Sequence, residues 1–288
     1  MAVNLQVQPA ADVVIREVEE GNEIRAVEEL QKEVWGLPDL DVVPFTQLIA
    51  AKAAGGVLIG AFNNGALVGF AYGFVGCENG QMTHHSHMLA VKPAYRNLSL
   101  GYKLKRAQRD LVLAQGITEM TWTFDPLQSL NAYFNFGRLG VLSDRYLVDF
   151  YGTDAASFLH RNGTDRLWVS WPLASRRVVE RLETSAEEAD VRPMIKLVES
   201  GDNNTPLSSD IELKNAGDHV SIEIPSDING LGQRDPDLAA AWRIATRTAF
   251  TEAFSVGYVA VDFIRGAKSG SYILSRRISE DSLRQPGG

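Results

Sequence analysis

Residues 56–76, GVLIGAFNNGALVGFAYGFVG, restrict the fold of this chain more than any other stretch. They are its longest apolar-rich run, and a membrane-spanning helix would need about 20 such residues without a break. Asn63, Asn64 and several glycines interrupt this run, so it reads as a hairpin. Asn-Asn-Gly supplies the positive φ values of a tight strand-to-strand turn, which sets VLIGAF against ALVGFAYGFVG. A second turn, Glu-Asn-Gly at 78–80, leads into QMTHHSHMLAV (81–91) as the third strand of a meander.

The flanking segments fit around that meander. DVVIREVEE (12–20) alternates as a strand, while EIRAVEELQKEVWG (23–36) and FTQLIAAKAAGG (45–56) carry helical spacing and glycine stops. SLGYKLKRAQRDLVLAQG (99–116) is a strongly amphipathic helix, and EMTWTFDP (119–126) is a strand closed by Asp-Pro. LQSLNAYFNFGRLG (127–140) reads as a glycine-capped helix, with VLSDRYLVDFYG (141–152) and DRLWVSWPL (165–173) as strands. Trp122, Phe124, Trp168 and Trp171 alternate on these strands as core residues. The order predicts an α/β, layered α+β fold, in which a mixed central sheet is flanked by helices.

Beyond residue 173 the composition shifts. ASRRVVERLETSAEEADVRP (174–193) is charged and poor in large apolar side chains, which suits a linker or an exposed helix. Residues 194–288 read β-β-α-β-β, with Asp235 as a helix N-cap and Pro236 at the first helical position. The expected organisation is therefore a domain over 1–173, a linker over 174–193 and a smaller C-terminal α/β extension over 194–288.

With 28 basic against 36 acidic residues the net charge is −8, which speaks against a nucleic-acid surface. The single cysteine, Cys77, excludes an internal disulfide and a cysteine-based zinc cluster, and is expected to be a small buried residue in a reducing cytoplasm. The N-terminal stretch MAVNLQVQPAADVV lacks the basic start and unbroken apolar core of a signal peptide. No membrane partner is expected.

The chemistry concentrates in HHSHMLAVKPAYRNLSLGYKL (84–104), which holds three of the five histidines. Simple strand alternation puts His85, His87, Leu89 and Val91 on one face and His84 on the other. An imidazole with an ordinary pKa of about 6.5 can take a proton from an ammonium group near neutrality. His85 is the first candidate for a general base and His87 the second; the competing reading is that they are satisfied core histidines. No carboxylate or thiol sits at a spacing that would complete a metal site, so no metal is expected. Past Pro93, the turn Arg96-Asn97-Leu98-Ser99-Leu100-Gly101 opens a helix whose first amides have no intrahelical partner. Small residues at 99 and 101 would let a phosphate approach, with Arg96, Lys103 and Lys105 favouring its charge.

LAVKPAYRNLSLGYKL resembles motif A of the GNAT superfamily of acyl-CoA N-acyltransferases, an apolar strand followed by V-x-P-x-x-R/Q and R/Q-x-x-G-x-G/A. Val91, Pro93, Arg96 and Gly101 match, and Ser99 replaces the first glycine. NAYFNFGRLGV is similar to motif B of the same superfamily, and the element order over 12–173 is its order. The resemblance implies that Leu89, Ala90 and Val91 contact the pantetheine arm through their main chain. It implies further that Arg96, Leu98, Ser99, Leu100, Gly101 and Tyr102 hold the pyrophosphate, and that Asn131 and Phe134 lie beside the pantetheine. H-x-H-x-LAV is also similar to the matching strand of the serotonin N-acetyltransferases, whose two histidines lie near the amine and the acyl carbon. In this superfamily the loop joining the first two helices commonly builds the acceptor pocket, here Trp35-Gly36-Leu37-Pro38.

The implied activity is transfer of an acetyl or succinyl group from CoA to the amine of a small molecule, an amino acid or an arylalkylamine. The co-substrate is acetyl-CoA or another acyl-CoA; succinyl-CoA follows from a likeness to a branch linked to N-acylamino acid metabolism. The partner is a small amine acceptor, with room for a homodimer. Phe136 stands where many members carry a tyrosine that protonates the leaving thiolate, which leaves Tyr133, Tyr146, Tyr151 or solvent for that task. Ser99 and Phe136 together keep a second reading open, a non-catalytic acyl-CoA-binding or regulatory module.

Overall fold

The computed structural model describes residues 13–19, 21–152, 163–183 and 195–285. The N-terminal leader and the second half of the expected linker, 184–193, lie outside the described residues. By compactness the chain divides between Met120 and Thr121. The expected division at residue 173 rests on the change of composition there and on the resemblance over 12–173.

The first unit is built on four antiparallel strands, β1 (Val13–Glu17), β2 (Val57–Asn63), β3 (Ala66–Glu78) and β4 (Gln81–Val91), paired in that order. Both turns form as their residues dictate, with positive φ at Asn64 (49°) and Gly65 (78°), and at Asn79 (50°) and Gly80 (77°). Helices α1 (Gly21–Trp35) and α2 (Phe45–Ala53) cover one face. There Ile24, Val27, Leu30 and Leu48 close over Leu58, Phe70, Tyr72 and Ala90 in one buried cluster. Helix α3 (Leu100–Ala114) lies on the opposite face, where glycines of β3 alternate with those aromatics. A Cβ added to Gly69 would stand 3.4 Å from Leu104 Cδ1, and one on Gly73 would stand 3.0 Å from Gln108 Nε2. These glycines therefore let α3 side chains lie against the sheet backbone, beyond merely breaking an apolar run.

Strands β3 and β4 are out of step at one point. Tyr72 faces Met88 but Gly73 faces Ser86, which leaves His87 as the extra residue of a bulge. The bulge inverts the alternation that holds in an unbroken strand. His85 and His87 turn to the face of α1 and α2, where Met88 packs on the buried cluster beside Ala90. Leu89 and Val91 turn to the α3 face, as their approach to Gly101 and Gly69 shows. The expected common face of His85, His87, Leu89 and Val91 is thus corrected.

The second unit carries β5 (Glu119–Phe124, which starts at the division), β6 (Leu142–Leu147), β7 (Arg166–Pro172), β8 (Ile195–Ser200), β9 (Pro206–Ser208), β10 (His219–Pro225), β11 (Val259–Arg265) and β12 (Ser269–Ser275). They run side by side in the order β5-β7-β6-β11-β12-β10-β8-β9. The sheet is mixed, since β8 and β10 are parallel whereas β10–β12 and β11–β12 are antiparallel. Its core holds Trp171, Trp242, Phe136, Phe250, Phe263 and Tyr272, all fully buried. Helix α7 (Pro236–Ser255) starts where the sequence places it, with the Asp235 carboxylate accepting from Leu238 N–H at 2.9 Å.

Three expectations change here. The helix expected over 127–140 is a four-residue α4 (Ser129–Ala132) that widens into a π-helix over Tyr133–Leu139 and ends at Gly140, φ 75°. The expected linker contains α5 (Arg176–Glu183), which is packed and not merely solvated: Val178 is buried and Arg181 pairs with Asp262 at 2.5 Å. Strand β9 and helix α6 (Ile228–Arg234) add to the expected C-terminal pattern. In the first unit, Cys77 proves exposed where a small buried residue is expected.

Candidate active site

On the α1/α2 face, four rings meet. Phe74 lies 5.4 Å from His85 and 5.8 Å from His87, centroid to centroid, Tyr72 lies 6.1 Å from His87, and the two imidazoles are 6.4 Å apart. Register explains the grouping, since Phe74 is the cross-strand partner of His85 and the bulge swings His87 to the same side. Burial, then the neighbouring His87 and Lys105, pushes the His85 imidazole down to about 4. Burial lowers His87 as well, although its side chain keeps an exposed edge. Both rings are consequently uncharged near neutrality. Burial raises Tyr72 above its usual range, offset in part by a hydrogen bond with Gln47 of α2. Trp35, at the end of α1, sets its ring edge-on to Phe70 at 6.0 Å.

His84 belongs to the other side. It is fully buried, and its Nε2 accepts from Gln108 Nε2 of α3 at 3.5 Å. That arrangement puts the ring proton on Nδ1, which is buried without a hydrogen-bond partner. Burial, followed by Lys105 and His85, brings His84 down to about 4. Gln108 Oε1 accepts from Ser86 Oγ at 2.8 Å, and Ser86 Oγ accepts from Lys105 Nζ at 2.7 Å. Lys105 is buried, and burial carries its ammonium well below the ordinary lysine range. It points at β4, so it does not join Lys103 as an outward-facing charge at the helix start. Amphipathic spacing alone could not distinguish the two.

The turn before α3 has the shape an anion needs. Asn97 (φ 70°) and Ser99 (φ 55°) are both left-handed, and no side chain caps the first amides of α3. Left-handed residues at such a turn aim successive N–H groups into one concavity. Ser99 thus holds the backbone conformation for which a glycine is the usual residue, so its departure from the motif is chemical rather than conformational. Gly101 is open, since an added Cβ would meet only Leu89 Cδ2, at 3.7 Å. Arg96 is exposed, Leu98 and Tyr102 are half-buried and Leu100 is buried. Leu89, Ala90 and Val91 pair with Ala71, Phe70 and Gly69 of β3. The uncapped amides and the open Gly101 of this turn suit an anion such as a phosphate.

In the second unit, Asn131 is exposed on α4 and Phe134 half-buried in the π-helix. Phe136 is fully buried, edge-on to Tyr272 at 5.6 Å, so this position is core and carries no hydroxyl. Of the tyrosines considered for proton donation, Tyr146 donates to Asp165 at 2.7 Å, and burial raises it far above its usual range. Tyr133 lies under the Arg265 guanidinium, and Tyr151 is exposed beneath Arg166. Among the described residues no group of three or more His, Cys, Asp or Glu side chains could hold a metal ion. Nor is any described helix long and apolar enough to cross a membrane.

No curated protein matches the sequence. Solved structures resemble the chain at low identity. Aminoglycoside 6'-acetyltransferase type Ii aligns with a TM-score of 0.44 and 17% identity, over 56% of this chain and 97% of that one. The ribosomal-protein-S18-alanine N-acetyltransferase from Escherichia coli gives 0.45 and 14%, over 63% and 99%. A GNAT family acetyltransferase from Elizabethkingia anophelis with acetyl-CoA bound gives 0.43 and 13%, over 56% and 99%. The model of the Acetyltransferase (GNAT) family matches residues 23–137. That span takes in the clustered histidines, the Ser99 turn and the start of the π-helical segment, and over it the chain is similar to the GNAT acetyltransferase family.

Proposed function

We propose that the protein transfers an acyl group from acyl-CoA to the amine of a small acceptor, an amino acid or an arylalkylamine. The observation that carries this reading is the pair His85 and His87, held uncharged on one sheet face and followed on the same strand–turn–helix unit by the Ser99 turn. Bound acyl-CoA would supply the thioester carbon that the amine attacks. The amides of Leu98, Ser99, Leu100, Gly101 and Tyr102, with Arg96 beside them, bind its pyrophosphate. The main chain of Leu89, Ala90 and Val91 pairs with the pantetheine. Residues 1–173 are the catalytic region in this reading.

His85 accepts the proton of the attacking amine, and His87 is the alternate acceptor. An uncharged imidazole is the form a base requires, while its lowered pKa weakens the driving force for transfer. The rings of Phe74 and Tyr72 beside the histidines favour an acceptor with an apolar or aromatic body. The loop at Trp35–Pro38 is the proposed wall of that pocket. The donor is acetyl-CoA or a longer acyl-CoA, succinyl-CoA included.

A second reading, a non-catalytic acyl-CoA-binding module, is favoured by Phe136, whose buried ring offers no proton to a leaving thiolate. Incubating the full chain with acetyl-CoA or succinyl-CoA and a panel of amines, with free thiol as the readout, decides between them. Amine-dependent thiol release is expected. CoA affinity without turnover would leave only the binding module.

A further inference from the structure

The α3 face of β4 carries a polar chain that the proposed reaction does not use. Lys105 Nζ donates to Ser86 Oγ (2.7 Å), Ser86 Oγ donates to Gln108 Oε1 (2.8 Å), and Gln108 Nε2 donates to His84 Nε2 (3.5 Å). All four side chains are buried. Burying a lysine and three more polar groups against a sheet is unfavourable by several kcal/mol unless they satisfy one another. Apolar side chains would fill the same volume at no such expense. The chain grips residues 84 and 86, the two sequence neighbours of His85, immediately before the bulge at His87. Gly73 makes room for it, as a Cβ there would stand 2.4 Å from His84 Nε2.

A bulge is a local choice of register, and β4 has no glycine, proline or asparagine at 84–88 to impose one. Moving the extra residue by one position would send either His85 or His87 to the opposite face. Hydrogen bonds to Ser86 and His84 hold those two residues on the α3 side, and the bulge is then confined to position 87. We infer that Lys105, acting through Ser86 and Gln108, is a positioning residue that fixes the bulge and thereby sets His85 and His87 side by side on the opposite face. This inference rests on the proposed catalytic role of the two histidines only for its effect on rate.

Lys105→Met tests it in the full chain. Methionine replaces a buried polar head by an apolar one of similar length and leaves Ser86 still donating to Gln108, so the fold is expected to be retained with a modest fall in melting temperature. The side-chain ¹⁵N and ¹³C resonances of His85 and His87 are expected to shift and broaden, and kcat to fall about 10-fold or more with little change in KM for acetyl-CoA. Lys105→Gln, which can still donate to Ser86, should restore the wild-type resonances and most of kcat. If Lys105→Met unfolds the protein, Ser86→Ala breaks the same chain at its centre with a smaller change and is read by the same resonances. Unmoved histidine resonances in a folded Lys105→Met or Ser86→Ala protein would overturn the inference. Failure of the catalytic reading looks different: a His85→Gln, His87→Gln double variant stays active, while the resonances of wild type and Lys105→Met still differ.

Discussion

Replacing His85 by glutamine removes the proposed base and keeps a side chain of similar polarity on β4. Because burial brings the imidazole from its ordinary 6.5 down to about 4, charging it in the folded protein is roughly 3 kcal/mol harder than in water. A base so weakened should work near the lower end of the range for general-base catalysis, about 10²-fold. His85→Gln is therefore expected to lower kcat/KM by that factor at pH 7, and the double variant with His87→Gln by more. The assay is thiol release at saturating acetyl-CoA, with acceptors spanning several amine pKa values, between pH 4 and 10. In wild type the limb owed to the enzyme should lie well below pH 6.5, with activity then rising only as the acceptor amine loses its proton. The loss in His85→Gln should shrink at high pH, where the amine arrives deprotonated. Full activity per folded molecule in the double variant would refute the reasoning. So would an enzyme-derived limb at pH 7 or above.

Other substitutions probe the turn and the buried imidazoles. Gly101→Glu should fold normally, since only Leu89 is near and an acidic residue suits a helix start, yet weaken CoA binding at least 10-fold in calorimetry; unchanged affinity would remove the phosphate cradle. Ser99→Gly should relieve a left-handed serine, a strain of about 1 kcal/mol that roughly offsets glycine's added freedom in the unfolded chain. Its melting temperature should therefore stay near wild type with CoA affinity intact, and a large fall would show that the hydroxyl matters. His84 has a folded pKa near 4 against 6.5 unfolded, so the unfolded chain binds more protons between those values and stability falls as pH drops through that window. His84→Gln should flatten that slope by up to about 1.4 kcal/mol per pH unit, measured by urea unfolding at pH 7 and pH 5; an unchanged slope would mean that His84 does not titrate with folding.

The meander, its two Asn-Gly turns and the capped start of α7 were legible in the sequence because each is written in a few adjacent residues. The Ser99 turn was legible for the same reason. The bulge at His87 was not. It depends on what Gly73 of β3 and Gln108 of α3 allow, and neither is a neighbour of His87 in sequence. Sequence alone makes Lys105 a phosphate contact because basic residues on a helix usually face water; Ser86, 19 positions away and itself bonded to Gln108, holds it inward. The widening of 133–139 into a π-helix was hidden too. Apolar spacing in seven residues does not separate 3.6 from a slightly larger period, and the carbonyls it leaves over are satisfied from far along the chain.

Those carbonyls have a practical consequence for anyone wishing to shorten the protein. Gly137 O accepts from Arg181 at 2.9 Å, Gly140 O from Arg177 at 2.9 Å and Leu139 O from Trp171 at 2.7 Å. Arg177 also reaches Val261 O, and Arg181 is held by Asp262, both on β11. A chain stopped at residue 173 by the boundary that sequence suggests would keep the Trp171 bond and lose both arginines. The segment that resembles motif B would then end in two bare carbonyls beside a stripped sheet edge. A chain cut at that point is expected to lose stability in this segment, because Arg177 and Arg181, which close its carbonyls, lie beyond the cut.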